Sequence, residues 1–420
     1  MVRLFPLLLF ILLLSGCRGG ETDKMVITFW AIGAEGEKVG ALIPAFEREN
    51  PGVKVKVQQI PWTAAHEKLI TAYVSETLPD VFQLGNTWVP EFRALGAVEP
   101  LTAYLEKDSV ANEKFFDGIW DSNVIDSVIY ALPWYVDTRL LFYRKDILAA
   151  AGYENPPRTW KELYDASVKI KQMNPRYYSL FLPTNEWSQY IIFGLQSGSG
   201  ILKDNNSYGD FSGREFREAL DYVSGYFRNK LSPIDMTAVT NIYQAFEEGY
   251  FSMLITGPWN IKEMQNRLSP AMQDKWMTAP LPARGDDYPG VSLAGGSSLA
   301  INKLSPRKEL AWKFISYLTR AEVQVEFYKL VSSLPSVMEA WESPELKNDK
   351  YLAAFYTQLQ NVKPTPKIPE WEQIVVSKIQ QYIERLAAQK LTVDETAKKL
   401  DEEANRILEK RRWMISREGR

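Results

Sequence analysis

The stretch MVITFWAIGAEGEKVGALIPAFERENPGVKVKVQQI, residues 25–60, decides the fold class. Residues 25–31 form a compact apolar run of strand type. Val39, Leu42, Ile43 and Phe46 then recur at i, i+3, i+4 and i+7, the spacing of one buried helix face. Pro51-Gly52 makes a turn, and Val53, Val55 and Val57 alternate as a second strand. Working outward, residues 63–75 predict a helix, and Pro79-Asp80 leads into a third strand at Val81-Phe82-Gln83-Leu84. Strand, helix, strand, helix, strand predicts right-handed crossovers and an α/β fold with a mostly parallel sheet.

The pattern restarts further on. Leu140-Leu141-Phe142-Tyr143 reads as a strand feeding a helix at Lys145. Thr159-Trp160-Lys161-Glu162 has the spacing of a capping box. Residues 251–255 read as a strand, and Ser305-Pro306 opens a helix that aligns Ala311, Phe314, Ile315 and Leu318. The last hundred residues read as helical: Trp371, Ile374, Val375, Tyr382, Ile383 and Leu386 share one face. Thr392-x-x-Glu395 caps a further helix bearing Ala397, Leu400, Ala404, Ile407 and Leu408. The basic end Lys410-Arg411-Arg412 suits a helix C-terminus.

Composition removes several function classes. The 420 residues carry 49 Lys+Arg against 52 Asp+Glu, a net charge of −3, which argues against a nucleic-acid binder. With one Cys (Cys17) and one His (His66), neither an intramolecular disulfide nor a Cys₄, Cys₂His₂ or His₃ zinc site can be built. No metal and no cofactor is expected. G-x-S-x-G, G-x-x-x-x-G-K-[ST] and H-E-x-x-H are all absent, and the chain is not expected to be an enzyme. A secreted glycosidase is a remote alternative, with Glu35, Asp137 and Glu186 as its carboxylates. Asp204, Asn206, Gly209 and Glu215 fit positions of a calcium loop, but Tyr208 stands where a ligand oxygen is needed. We read that segment as a polar turn into a helix capped by Ser212. In contrast, 13 Trp, 21 Tyr and 19 Phe are a heavy load of flat apolar surfaces, suited to binding.

Residues 4–14 are too short to span a bilayer but match a secretory h-region. They end in Leu14-Ser15-Gly16-Cys17, which resembles the bacterial lipoprotein processing box. That resemblance implies a signal peptide over 1–16, a lipidated Cys17, a tether over 17–24, and an extracytoplasmic protein held to the membrane by lipid alone.

A set of short motifs in a fixed order carries a second resemblance: Phe29-Trp30; Pro79-Asp80-Val81 with Leu84-Gly85-Asn86; Leu132-Pro133-Trp134-Tyr135-Val136-Asp137-Thr138-Arg139; and Pro157-x-Thr159-Trp160-x-Glu162. It continues through Phe246-x-x-Gly249, Met253, Gly257-Pro258-Trp259, Pro280-x-Pro282 and Gly295-Gly296. The chain resembles the family 1 extracellular solute-binding proteins, the maltose-binding-protein-like receptors of bacterial ABC sugar importers. The resemblance implies two α/β lobes, 25–133 with 283–333 and 138–279 with 336–420, joined by crossovers near 134–137, 280–282 and 334–335. It implies a monomer that closes its lobes on a carbohydrate and presents it to permease subunits. A receptor for a non-sugar solute is the alternative.

The same resemblance implies a site. Trp88, Trp187, Trp259 and Trp371 fall where the family has cleft aromatics, with Trp30 and Trp134 as further candidates. Asp137 and Arg139 lie beside the first crossover, Glu35 and Asn86 follow strand ends, and His66 falls at a position that reaches the cleft. Gly296 and Ser297 are expected to bring backbone N–H groups near a ligand. The chain departs from maltose-type receptors at Thr87-Trp88, where those have a charged pair, so maltose itself is not implied.

Overall fold

The computed structural model describes residues 25–234 and 239–418. The signal segment, Cys17 and the tether lie outside the described residues. Two sheets organise the chain. The first has six strands in the order Leu334–Pro335, Leu132–Asp137, Gly295–Ile301, Val81–Gly85, Met25–Ile32, Val53–Ile60. The second has four, in the order Trp276–Ala279, Leu140–Arg144, Met253–Thr256, Leu180–Phe181.

The opening stretch folds as its periodicity requires. Met25–Ile32 runs parallel to Val53–Ile60 in register from Met25↔Val53 to Ile32↔Ile60, and parallel to Val81–Gly85. Ile27, Phe29 and Ala31 are fully buried on one face, the period of two expected of a strand. Val39, Leu42, Ile43 and Phe46 all bury, though on a short 3₁₀ turn and the helix Ile43–Glu49 rather than one continuous helix. The Asp80 carboxylate fastens this lobe. It accepts from Thr28 N and Oγ1 at 2.9 Å and from Ser305 Oγ at 2.6 Å, tying the first strand to the turn after Gly295–Ile301.

The expectation of mostly parallel sheets needs correcting in one respect. Most strands do share a direction, but Gly295–Ile301 runs antiparallel to both its neighbours and Leu334–Pro335 antiparallel to Leu132–Asp137. Leu140–Arg144 is likewise antiparallel to both its neighbours. Both sheets are therefore mixed. The reversed strands are those at which the chain passes between lobes, so no crossover helix sets their direction.

The chain changes sheets three times among the described residues. It leaves the first sheet after Asp137 and enters the second at Leu140, with only Thr138 and Arg139 between. It returns only at Gly295, later than the expected crossover at 280–282: residues 283–293, expected in the first lobe, pair with Thr159 and with Val362–Lys363 of the second. After Leu334–Pro335 it goes back to the second lobe, where helix Leu352–Leu359 packs on Trp276–Ala279 and Leu140–Arg144. One apolar cluster spans the join, bringing Val136 and Leu334 together with Leu140, Phe142 and Trp276.

The C-terminal segment packs on the second lobe. Trp371–Ile374, a π turn over Val375–Ile379 and Gln380–Ala387 form one helical run, and its expected face is buried against Leu141, Met253 and Ile255. Thr392 and Glu395 make both halves of the capping box of Val393–Ile407. At Thr159 only half of it forms: Thr159 Oγ1 accepts from Glu162 N, but Glu162 reaches Arg158 N. Ser212 does not cap its helix. Gly213 does, while Phe211 N and Ser212 N donate to Asp401. Asp204, Asn205 and Asn206, all with left-handed backbone, form the turn of a small hairpin.

Candidate functional site

Strand ends of both lobes converge where the chain first changes sheets. Asp137 closes its strand, and Arg139 turns back to it, Nη1 donating to Asp137 Oδ1 at 2.7 Å with both side chains largely covered. The Arg139 guanidinium lies over the ring of Trp259, 4.6 Å from its centroid. Trp259 heads helix Trp259–Arg267 of the second lobe and is 46% exposed, which leaves surface for a ligand. Its ring sits directly on Gly257, where a Cβ would lie 2.0 Å from a ring carbon, so only glycine permits this seat.

Beside them stands Glu35, on the short helix after the first strand. Ser333 Oγ donates to Glu35 Oε1 at 2.7 Å, and the Tyr135 side chain also bonds it. Tyr135 belongs to a buried polar network. Gln83 accepts from Ile32 N at 2.7 Å and donates to Tyr135 Oη and Ser297 Oγ, both at 3.1 Å, and Ser297 Oγ donates to Tyr135 Oη at 3.0 Å. With these donors occupying its oxygen, Tyr135 is left to donate its own proton. Burial, with the Glu35 and Asp137 charges, pushes the Tyr135 phenol well above its ordinary value, so it stays a donor at any physiological pH. The network thus fixes Glu35 as an acceptor at the floor of the cleft.

Burial is also the main cause that raises the Glu35 carboxyl above its ordinary value; its two hydroxyl partners only partly offset that, and Asp137 adds to it. No cation lies in salt-bridge range of Glu35 among the described residues. The sign follows by linkage: a carboxyl raised on folding contributes stability below its unfolded value, and that contribution is lost as pH rises through the folded value. Glu35→Gln is therefore expected to raise the melting temperature of the ligand-free protein at pH 7 and not at pH 4. Differential scanning at the two pH values checks it, and an equal shift at both would contradict it.

A second group lies at the cleft mouth. Trp62 and Trp88 meet edge to face at 5.7 Å, and His66 packs on Trp88 at 5.1 Å. His66 Nε2 is 2.6 Å from Glu91 Oε2. This bond is the chief cause that raises the imidazole above its ordinary value. Burial opposes it, and the charges of Glu91 and Glu372 add to it. Glu372 comes from the opposite lobe, on Trp371–Ile374, and has the Thr87 side chain within hydrogen-bonding reach.

Of the residues singled out from the sequence, Glu35, Asp137, Arg139 and Trp259 come together at the crossover, and His66 and Trp88 at the mouth. Asn86 is buried. Its Oδ1 accepts from Ser298 Oγ at 3.0 Å, and its Nδ2 has no hydrogen-bond partner among the described residues. Trp30 is half-buried beneath Lys68 Nζ, 4.9 Å from the ring centroid. Trp187 packs edge to face on Trp371, which is fully buried in the second-lobe core. Trp134 is a core residue stacked on Phe327 at 4.7 Å and offers no face to the cleft. Gly296 and Ser297 lie inside a strand, registered on Val136 and Tyr135. A Cβ on Gly296 would lie 2.3 Å from Tyr135 O, so its glycine serves strand packing.

Trp62, Thr87, Glu91, Tyr135, Ser333 and Glu372 join the site without having been singled out as binding residues. Trp62 stands at the first turn of Trp62–Val74, a place that periodicity reads only as a helix start. Among the described residues, no three or more His, Cys, Asp or Glu side chains are grouped to hold a metal ion, and no helix is long and apolar enough to cross a membrane.

Known proteins are similar to this chain in sequence and fold. A structure of the sugar-binding protein MalE from Xanthomonas citri matches with a TM-score of 0.90 and 42% identity, over 93% of this chain and 99% of that one. The diacetylchitobiose-binding protein DasA of Streptomyces coelicolor is 27% identical over 76% of this chain and 74% of its own. The maltotriose-binding protein of Pyrococcus abyssi is 26% identical over 76% of this chain and 68% of its own. Residues 30–325 match the bacterial extracellular solute-binding proteins, and the chain belongs to that family.

Proposed function

We propose that the chain is the extracytoplasmic receptor of an ABC importer, that it binds a mono- or oligosaccharide between its lobes, and that lobe closure delivers this ligand to the permease subunits. The observation that carries the reading is the group at the crossover: an aromatic plate (Trp259), a carboxylate held by a guanidinium (Asp137 with Arg139) and a second carboxylate held by hydroxyls (Glu35). Sugars present apolar C–H faces and polar edges, and this donor and acceptor set answers both. The similarity to proteins named for diacetylchitobiose, maltotriose and galactooligosaccharide supports a carbohydrate as the ligand class.

The ligand-contacting set we propose centres on Glu35, Asp137, Arg139 and Trp259, extended at the mouth by Trp62, His66 and Trp88. Asn86 supplies a buried amide, and Trp30, Trp187, Trp371, Gly296 and Ser297 support the walls. The chain acts as a monomer, without cofactor or catalysis of its own. Lipidation of Cys17 holds it at the membrane. The moving bodies are 25–133 with 295–333 and 138–293 with 336–420, turning about the segments between them. A carboxylate-rich floor favours neutral sugars over uronic acids.

A thermal-shift screen of the purified protein tests the reading. A neutral sugar at about 100 times its Kd adds about 2.7 kcal/mol, a rise of some degrees, whereas galacturonic acid is expected to add nothing. Shifts from polyamines or peptides and none from a broad sugar panel would overturn the assignment.

A further inference from the structure

We propose that Glu372 and Thr87, with the His66–Glu91 pair, form a clasp across the cleft mouth that couples lobe closure, and so ligand affinity, to pH near neutrality. The inference rests on the receptor reading above; Glu372, Thr87 and Glu91 act in it as positioning residues, and His66 is shared with the ligand-contacting set.

The geometry carries it. Thr87 and His66 belong to the lobe of the first sheet, whereas Glu372 sits on Trp371–Ile374, whose neighbours Trp371 and Ile374 are built into the core of the second. The segment Asn86–Trp88 is nevertheless packed against Trp371–Ile374. Opening the cleft separates Glu372 from Thr87, His66 and Glu91 together, while the 2.6 Å His66–Glu91 bond stays within one lobe. Glu372 and its partners therefore meet only when the lobes are together.

The charges around the clasp are few. Across the cleft, His66 and Glu91 act on Glu372. On its own side, Glu370 is paired with Arg411 at 3.7 Å, and Lys378 and Arg406 are both taken by Glu403. Beside His66, Lys68 lies over Trp30 and Arg93 pairs with Asp126. Glu67, one residue along the His66 helix, is exposed. Among the described residues, His66 is thus the cation that faces Glu372.

The sign of the coupling follows. Burial raises the Glu372 carboxyl where the two segments are packed together, with Thr87 and His66 offsetting part of this. His66 is raised there too, in part by Glu372. Closure adds burial at Glu372 and the Glu372 charge at His66, and each of these favours the proton-bound form, so closure is favoured at low pH and weakens as pH rises. Once His66 is without its proton, a charged Glu372 is half-buried and faces Glu91 with no cation beside it.

The test is the Kd of a bound neutral sugar, measured by calorimetry from pH 5.5 to 8.5. For the wild type, affinity is expected to fall about two- to fivefold between pH 6 and 8, a modest size because the His66 and Glu91 side chains keep partial solvent contact. Glu372→Gln should flatten the profile, and His66→Gln should remove the step near neutrality. Thr87→Val should weaken binding evenly while keeping the slope. Thermal melts of each variant separate loss of fold from loss of the clasp. A flat wild-type profile, or an unchanged slope in Glu372→Gln, would overturn the clasp and leave the receptor reading intact. Absence of sugar binding at every pH would remove both.

Discussion

Asp137→Ala is expected to weaken carbohydrate binding by about 30- to 1,000-fold, the size of about 2–4 kcal/mol. Two losses add. The ligand loses a charged acceptor, and Arg139, which is largely covered and bonded to Asp137 at 2.7 Å, loses its counter-charge. Freed, the guanidinium remains over the Trp259 ring, a desolvated cation beside the face a sugar would use. Asp137→Asn keeps an acceptor oxygen near Arg139 and should cost much less. Calorimetric titration of the three proteins checks the order. Equal affinity in wild type and Asp137→Ala would show that the ligand does not sit at the crossover.

Trp276→Ala is expected to destabilise the protein by about 3–5 kcal/mol, the range for deleting a large buried aromatic. The ring is fully buried and stacks on Tyr351 at 4.0 Å and on Phe142 at 6.0 Å. It thereby binds the strand before the second lobe crossing to the segment after the third. Its indole N–H has no hydrogen-bond partner among the described residues, so Trp276→Phe removes an unsatisfied donor along with volume and should cost less. Urea unfolding followed by circular dichroism measures both variants. A change under about 0.5 kcal/mol for the alanine variant would mean that the stack adds little to the join between the lobes.

Local order was legible wherever it depends on neighbours in the chain. The alternation of Val53, Val55 and Val57, the buried face from Trp371 to Leu386, and the capping box at Thr392 and Glu395 all follow from period or spacing. Two caps misled. The Ser212 hydroxyl is passed over because the helix starts one residue later, with Gly213 at the cap position, while Asp401, from a helix nearly two hundred residues away, holds the preceding loop N–H groups. Glu162 reaches one residue beyond its expected partner. The direction of Gly295–Ile301 was not legible, because it is set by a pairing with Val81–Gly85 more than two hundred residues earlier.

The site divides along the same line. Asp137, Arg139 and Trp259 stand in motifs, so their approach to one another could be expected. Trp134 stands in the same motif as Asp137, yet strand alternation turns it into the core against Phe327. Glu372 and Thr87 carry no local signature, because their meeting is a property of two lobes and not of either segment.

Calorimetric titration of the purified protein with maltotriose, N,N′-diacetylchitobiose and a galactooligosaccharide, alongside an assay for reducing-sugar release, separates a receptor from an enzyme. Saturable one-to-one binding of at least one neutral sugar is expected, abolished or strongly weakened in Asp137→Ala, with no turnover. Catalytic release of sugar, or the absence of saturable binding across a broad carbohydrate panel, would contradict the receptor reading.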